Sequence, residues 1–324
     1  MKVLIIGGAG MIGRKLAERL ARDGTLGGKQ ITGLTLYDVV PPQKPAGARF
    51  GVNILTGDLP APGETDKLVA DKPEVIFHLA AIVSGEAEQD FDKGYRINLQ
   101  GTMNLIDSVR RAGHKPRLVF TSSIAVFGAP FPDKIGDEFF QTPLTSYGTQ
   151  KAIGELLISD YTRKGIFDGV SIRLPTICVR PGAPNKAASG FFSNIMREPL
   201  AGQEAVLPVS EDVRHWHASP RAAIGFLQHA ATIDGARLGA RRSLSMPGLS
   251  VTVGEQIAAL RRIAGEKVVA RIRREPDPFV ETIVAGWPRN FDTRRSVELG
   301  FQADQSFDDI IRVHIEDELG GMIA

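Results

Sequence analysis

Tyr147 and Lys151 stand four residues apart at the head of the amphipathic stretch YGTQKAIGELLISDYTR, 147–163. On a helix that spacing puts both side chains on one face, where an ammonium group can stabilise a phenolate. A free tyrosine ionises near pH ~10, so proton abstraction at neutrality needs positive charge beside the ring. A further polar group comes from Ser122 and Ser123, which close the apolar run RLVFTSS at 117–123. A hydroxyl at the carboxyl end of a buried parallel strand faces the crevice in which such sheets bind ligands, and it can hold a reacting oxygen there. Ser123 is the preferred candidate. Either serine can instead bond the loop IAVFG that follows, and a Tyr/Lys pair seen alone equally suits a solvent-facing helix surface.

The elements around these residues supply the missing weight. Short, nearly continuous apolar runs recur at 3–6, 31–37, 52–58, 74–80, 117–123 and 169–175, the pattern of strands buried on both faces. Amphipathic stretches lie between them at 12–23, 92–113 and 147–163, and the last two run into Gly113 and Gly165, where glycine suits a helix end. This alternation predicts an α/β fold with a Rossmann-type doubly wound parallel sheet over 1–175. Beyond that point the texture becomes irregular and rich in proline, with the basic run RIRREPDP and a helix-rich closing segment. Residues 176–324 are expected to form mostly a smaller substrate-binding lobe, with some segments returning to the first.

Immediately after the first strand comes Gly7-Gly8-Ala9-Gly10-Met11-Ile12-Gly13, opening the first helix. Gly7 suits a tight turn, Gly10 a close approach of backbone to a pyrophosphate, and Gly13 close helix packing; the helix N-terminus adds free amides and positive potential. A glycine turn used only for packing is the alternative. Asp38 ends the second strand, LTLYD, and can accept hydrogen bonds from both adenosine ribose hydroxyls, which favours NAD over NADP. It lies further from Gly7 than the usual spacing of about 20 residues, a lengthening assigned to the loop DGTLGGKQ. Asp58, in TGDL, suits the adenine or a turn cap.

Taken together, GGAGMIG, Asp58 in GDL, HLAA at 78–81, Asn98 in INLQGT, SSIAVFG at 122–128, YGTQK at 147–151 and RLPTICVRPG at 173–182 resemble the extended short-chain dehydrogenase/reductases, the NAD-dependent epimerase/dehydratase family. The resemblance implies Tyr147 as acid/base, Lys151 as holder of the ribose and depressor of the tyrosine pKa, and Ser123 as the group polarising the reacting oxygen. It further implies cofactor contacts or support from Met11, Ile12, Leu59, Leu79, Ala80 and Asn98, and a backbone turn beside the nicotinamide carboxamide at Pro175 and Ile177. It also implies a homodimer through two long helices. The segments AAIVSGEAEQDFDKGYRINLQGT and SYGTQKAIGELLISDYTRKGIFDGVSIRLPTICVRPGAPNKAASGFFSNIMREPL are similar to a branch of the family that oxidises the C2 hydroxyl of a four-carbon sugar acid. A small anionic sugar acid needs cationic and hydroxyl-recognising partners, for which Ser84, Arg180, Asn185, Lys186, Arg214 and His217 are available. His217, next to Trp216, equally suits a packed core histidine. The family alternatives are oxidation of a uronate at its anomeric carbon and epimerisation of a nucleotide sugar; dehydration is disfavoured because Ile124 and Ala125 stand where its carboxylates would be expected. A non-enzymatic NAD-binding redox sensor is the remaining class.

Composition is consistent with these readings. The chain has 324 residues, with 39 Lys and Arg against 37 Asp and Glu, a net charge of +2, which gives no global push toward nucleic acid or anionic membrane. The single cysteine, Cys178, cannot form an intrachain disulfide or a thiolate zinc site, and no metal is expected. No apolar stretch approaches the ~18 residues of a membrane span, and the four apolar residues between Lys2 and Gly7 are too few for a signal-peptide core, so the expected location is cytoplasmic.

Overall fold

The structure is a computed structural model and describes residues 1–182 and 189–324. Six strands of the N-terminal half form one parallel sheet: β1 (Lys2–Ile6), β2 (Gly33–Asp38), β3 (Gly51–Thr56), β4 (Val75–His78), β5 (Arg117–Ser123) and β6 (Asp168–Leu174). The helices that connect them include α1 (Met11–Asp23), α2 (Glu64–Val69), α3 (Gly101–Ala112) and α4 (Ser146–Arg163). Strand order is 3-2-1-4-5-6, the doubly wound arrangement, with its switch point between β1 and β4.

Alternation along single strands explains why helices cover both faces. Val3 and Ile5 of β1 point into a core with Leu16 and Leu20 of α1, while Leu4 and Ile6 point into a second core with Leu105 and Val109 of α3 and Ile158 of α4. α1 ends at Gly24, whose φ of +66° lets its N–H return to Leu20 O at 2.9 Å.

The C-terminal chain does two jobs. After β7 (Thr176–Ile177) and α5 (Gly190–Leu200) come β8 (Arg214–Ala218) and α6 (Pro220–Thr232), and α6 returns to the sheet face occupied by α1. Then β9 (Ser243–Ser245) adds a seventh parallel strand beside β6. The smaller lobe is built around β10 (Leu249–Thr252), antiparallel to β8, with α7 (Val253–Ala264) and α9 (Phe307–Glu318); between them α8 (Arg294–Glu298) packs back on β9, where Ser296 Oγ donates to Ser245 O at 2.7 Å. Its separate core joins Phe192, Ile195, Met196, Ile257, Leu260, Ile310 and Ile311. A capping box at Thr252 and Glu255 starts α7.

The sequence pattern differs from the structure over 92–113. This stretch is helical throughout but not uniformly α: an α-helical turn at Phe91–Gly94 passes into a π-helix at Tyr95–Gln100 before α3 begins. The wider turn carries Asn98 inward, 4% exposed, where its amide bonds Ile82 and Gln150.

Candidate active site

The turn after β1 is shaped by two glycines that admit no substituent. Gly7 has φ +97°, and a Cβ on it would lie 2.7 Å from Ala80 N; one on Gly13 would lie 2.1 Å from Gly7 O. Gly10 differs: its nearest neighbour would be Gly7 O at 3.5 Å, so the fold itself has room for a side chain there. The helix that follows has no side-chain cap and no acid in its first turn, leaving its free amides and positive end toward whatever approaches Gly10. This is a cradle for a diphosphate, and it fits a dinucleotide.

Most of the flanking candidates follow the carboxyl ends of the parallel strands. Asp38 Oδ2 accepts from Ala9 N at 2.9 Å and Oδ1 from Val39 N at 2.7 Å, so the carboxylate braces the glycine turn at the end of β2. Leu79 and Ala80 both donate their backbone N–H to Ile6 O. Asp58 is bound by Arg96 at 2.7 Å, and Leu59 packs under Gly101. Asn98 spends its side chain on Ile82 and Gln150 and therefore supports the crevice instead of lining it. Pro175 and Ile177 follow β6, and Ile177 pairs with Ala218 of β8.

At the carboxyl ends of β4 to β6, α4 brings in the reactive candidates. Thr145 caps it by accepting from Gly148 N, and Glu88 accepts from Ser146 N at 2.9 Å. A Cβ on Gly148 would stand 2.2 Å from Ala125 O; the residue after Tyr147 must be small for the helix to sit on the loop that follows Ser123. Lys151 is 3% exposed, and its ammonium donates to Thr121 O at 2.8 Å while standing 5.7 Å from the centre of the Tyr147 ring. One bond for three N–H donors leaves capacity for the hydroxyls of a ribose. Burial pulls Lys151 down to about 7, with Glu155 opposing. Burial likewise raises the Tyr147 phenol, while the Ser123 hydroxyl and the Arg180 guanidinium push it back down. Ser123 Oγ accepts from Ala125 N; Ser122 turns away and bonds Glu155 at 2.5 Å.

The substrate candidates separate. Arg180 is partly buried, donates to Ile177 O and Ser189 Oγ, and has no carboxylate partner among the described residues; residues 183–188 contain no Asp or Glu. Arg214 is tied to Glu255 at 3.3 Å and to Ser250 O. His217, fully buried, bonds Gln256 at 2.9 Å and packs edge-on against Phe192, so it belongs to the core of the smaller lobe and not to the crevice. Ser84 begins a short helix, Ser84–Gln89, after β4. Asn185 and Lys186 lie outside the described residues. Sequence reasoning missed Gly148, Glu155 and Arg173. The glycine in YGTQK was the legible signal for the first; the other two pair only through the fold.

A model of the NAD dependent epimerase/dehydratase family matches residues 3–219. The chain belongs to this family. It is 49% identical to D-erythronate dehydrogenase from Cupriavidus necator, over 98% of both chains. It is 43% identical to D-erythronate dehydrogenase from Haemophilus influenzae, over 98% of this chain and 99% of the relative. A solved structure described as the nucleoside-diphosphate-sugar epimerase from Agrobacterium tumefaciens is 65% identical with a TM-score of 0.98, covering 100% of this chain and 96% of that one. The chain is thus an enzyme of an NAD-dependent family. Among the described residues no helix is long and apolar enough to cross a membrane, and no group of three or more His, Cys, Asp or Glu is disposed to hold a metal ion.

Proposed function

We propose that the chain oxidises the C2 hydroxyl of D-erythronate to 2-dehydro-D-erythronate with NAD as acceptor. The observation that carries the substrate class is Arg180, a cation beside Tyr147 with no carboxylate of the described chain to neutralise it; it suits a substrate that brings its own carboxylate. The likeness to two D-erythronate dehydrogenases supports the particular acid.

The turn from Gly7 to Gly13, with Met11 and Ile12 opening α1, would hold the pyrophosphate; Asp38 would accept from the adenosine ribose, and Asp58 and Leu59 would flank the adenine. Leu79 and Ala80 would supply backbone beneath the dinucleotide, Pro175 and Ile177 would face the carboxamide, and Lys151 would donate to the second ribose. Bound NAD supplies the two-electron acceptor. With Lys151 and Arg180 stabilising its phenolate, Tyr147 takes the proton of the C2 hydroxyl and becomes the neutral phenol, the C2 hydrogen would leave with its electron pair to that acceptor, and Ser123 donates to the substrate oxygen as it becomes a carbonyl. Arg180 orients the carboxylate.

The deciding experiment incubates the purified protein with NAD and, separately, NADP against erythronate, threonate, uronates and UDP-sugars while following reduced cofactor. Net NADH from erythronate is the expected result. Tyr147→Phe should lower kcat by about 10²- to 10⁴-fold and leave NAD affinity near wild type; retained turnover removes Tyr147 from the role. The description of the 65% identical structure favours a second reading, epimerisation of a nucleotide sugar. That activity would restore its cofactor in each cycle and give product without net NADH. A homodimer through α3 and α4, whose exposed surfaces include Met103 and Leu156, completes the proposal; light scattering should give twice the chain mass, and Leu156→Glu should halve it.

A further inference from the structure

The helix that carries Tyr147 and Lys151 holds a third ionisable group that the proposed chemistry leaves unused. Glu155 lies one turn beyond Lys151 on α4 and is 1% exposed. Donors from three directions converge on its carboxylate. Ser122 Oγ reaches Oε1 at 2.5 Å, Arg173 Nε lies 2.9 and 3.1 Å from the two oxygens, Arg173 Nη2 lies 2.7 Å from Oε2, and Gln141 Nε2 lies 2.5 Å from Oε2. Arg173 belongs to β6, its side chain is 6% exposed, and its guanidinium stands 4.8 Å from the centre of the Phe127 ring. Behind it Asp137 accepts from Ser245 N at 2.8 Å and lies 3.6 Å from Arg295 of α8. Apolar residues of the same volume often fill such a space at no loss of stability, so packing alone does not account for the charges.

We propose that Glu155 is a positioning residue for the Tyr147 and Lys151 pair, fixing the strand end that bears Ser123 and keeping Lys151 in its ammonium form. This role presupposes the proton transfer assigned to Tyr147 above. The geometry supports both halves. Lys151 and Glu155 grip successive residues of β5, the first through Thr121 O and the second through Ser122 Oγ. Neighbours on a strand point to opposite faces, so anchoring Ser122 toward α4 aims Ser123 at the crevice. As for charge, the groups against Lys151 are Tyr147 and Glu155 on its own helix, Phe120 and Thr121 on β5, and His78 on β4, which burial keeps neutral. Glu155 is the anion of this set. With Lys151 already drawn to about 7 by burial, loss of that anion while Arg173 stays charged takes the ammonium form away at neutral pH.

Glu155→Gln keeps the shape and removes the charge. The titration of Lys151 is read by NMR of 13C-labelled lysine in the cofactor-free protein, with the resonance assigned by Lys151→Met, and kcat/KM is followed against pH. The expected result is a Lys151 pKa lower by one unit or more and an acid limb of kcat/KM displaced to higher pH, because a neutral lysine no longer favours the phenolate. The double variant E155Q/R173Q, in which Arg173 is not left as a buried cation without Glu155 and Asp137 keeps Arg295 at 3.6 Å, should show the same directions with a smaller Lys151 shift. An unchanged Lys151 titration in either folded variant overturns the proposal. A displaced Lys151 titration with an unmoved acid limb supports the placement of Glu155 and instead discards Tyr147 as the base.

Discussion

A cation beside Tyr147 can act on two equilibria, the ionisation of the phenol and the capture of an anionic substrate; Arg180 bears on the first and, under the proposed function, on the second. The two effects separate by experiment. A charged hydrogen bond is worth about 1.5–3 kcal/mol, so Arg180→Met should lower kcat/KM for the sugar acid by roughly 10- to 100-fold, mainly through KM. The uncharged four-carbon alditol should lose far less. Because the guanidinium also lowers the tyrosine pKa, the acid limb of the pH profile should move upward for both substrates. Steady-state kinetics on the two compounds over pH 6–9 checks this, and equal losses on acid and alditol would assign Arg180 to the phenol alone. Among the four charged or imidazole candidates the sequence could not choose, since choice depends on what each side chain finds across the fold. Arg214 finds Glu255, His217 finds Gln256, and Arg180 finds carbonyl and hydroxyl oxygens.

The β1–α1 turn separates glycines that the fold requires from one that it does not. A Cβ at Gly13 would press to 2.1 Å from Gly7 O, whereas one at Gly10 meets its nearest atom at 3.5 Å. Gly13→Ala should therefore displace the turn and lower thermal stability by about 1–3 kcal/mol. Gly10→Ala should melt within about 0.5 kcal/mol of wild type, while weakening NAD several-fold or more, because the methyl occupies the approach of the diphosphate. Differential scanning calorimetry with NAD titration checks both; wild-type affinity in Gly10→Ala would remove the diphosphate from this turn. Elements of this kind were readable in the chain because local pattern dictates them. RLVFTSS forms β5 at the stated residues, and YGTQK opens α4, starting one residue earlier at Ser146. What escaped was set by tertiary pairing. Ser243–Ser245 carries no strand signal of its own and becomes β9 because the edge of β6 is open to it. The π-helix at Tyr95–Gln100 interrupts a stretch whose apolar periodicity reads as continuous, since a single widened turn alters the facing of Asn98 without changing the composition.

For the whole molecule, buried histidines set the acid limit. His78 and His215 are each held down to about 3 by burial, His217 is held well below its ordinary value for the same reason, and His314 is drawn to about 4. In the unfolded chain these rings take up protons near pH ~6.5, while in the folded chain they stay neutral. The folded state then binds fewer protons, so their contribution to stability is complete above about pH 6.5 and is lost as the pH falls toward the folded values. Each ring removes about 1.4 kcal/mol per pH unit once the pH is well below 6.5. Against a typical stability of about 5–15 kcal/mol, the loss at His78 and His215 is a large fraction of the whole by about pH 4, and His217 adds to it in the same direction. Paired carboxylates such as Asp308 have lowered pKa values and add their loss only at still lower pH. Lys151 works on the other side: with a folded value of about 7 against 10.5, it makes the cofactor-free protein gain stability as pH rises from 7 toward 10. The expectation is denaturant stability that climbs from pH 5 to pH 9, with the acid-side loss of stability beginning near pH 6. His215 stacks on Phe192 beside Trp287, and His217 meets Phe192 and Phe307, so the smaller lobe holds two of the three strongest loads and tryptophan fluorescence reports on it. His215→Gln, which keeps a polar partner for Thr176 Oγ1, should flatten the slope of stability against pH between 6 and 4 by about one proton's worth, roughly 1.4 kcal/mol per unit. An unaltered slope in that variant would mean that the His215 ring is already protonated in the folded protein and that the acid limit lies with the carboxylates.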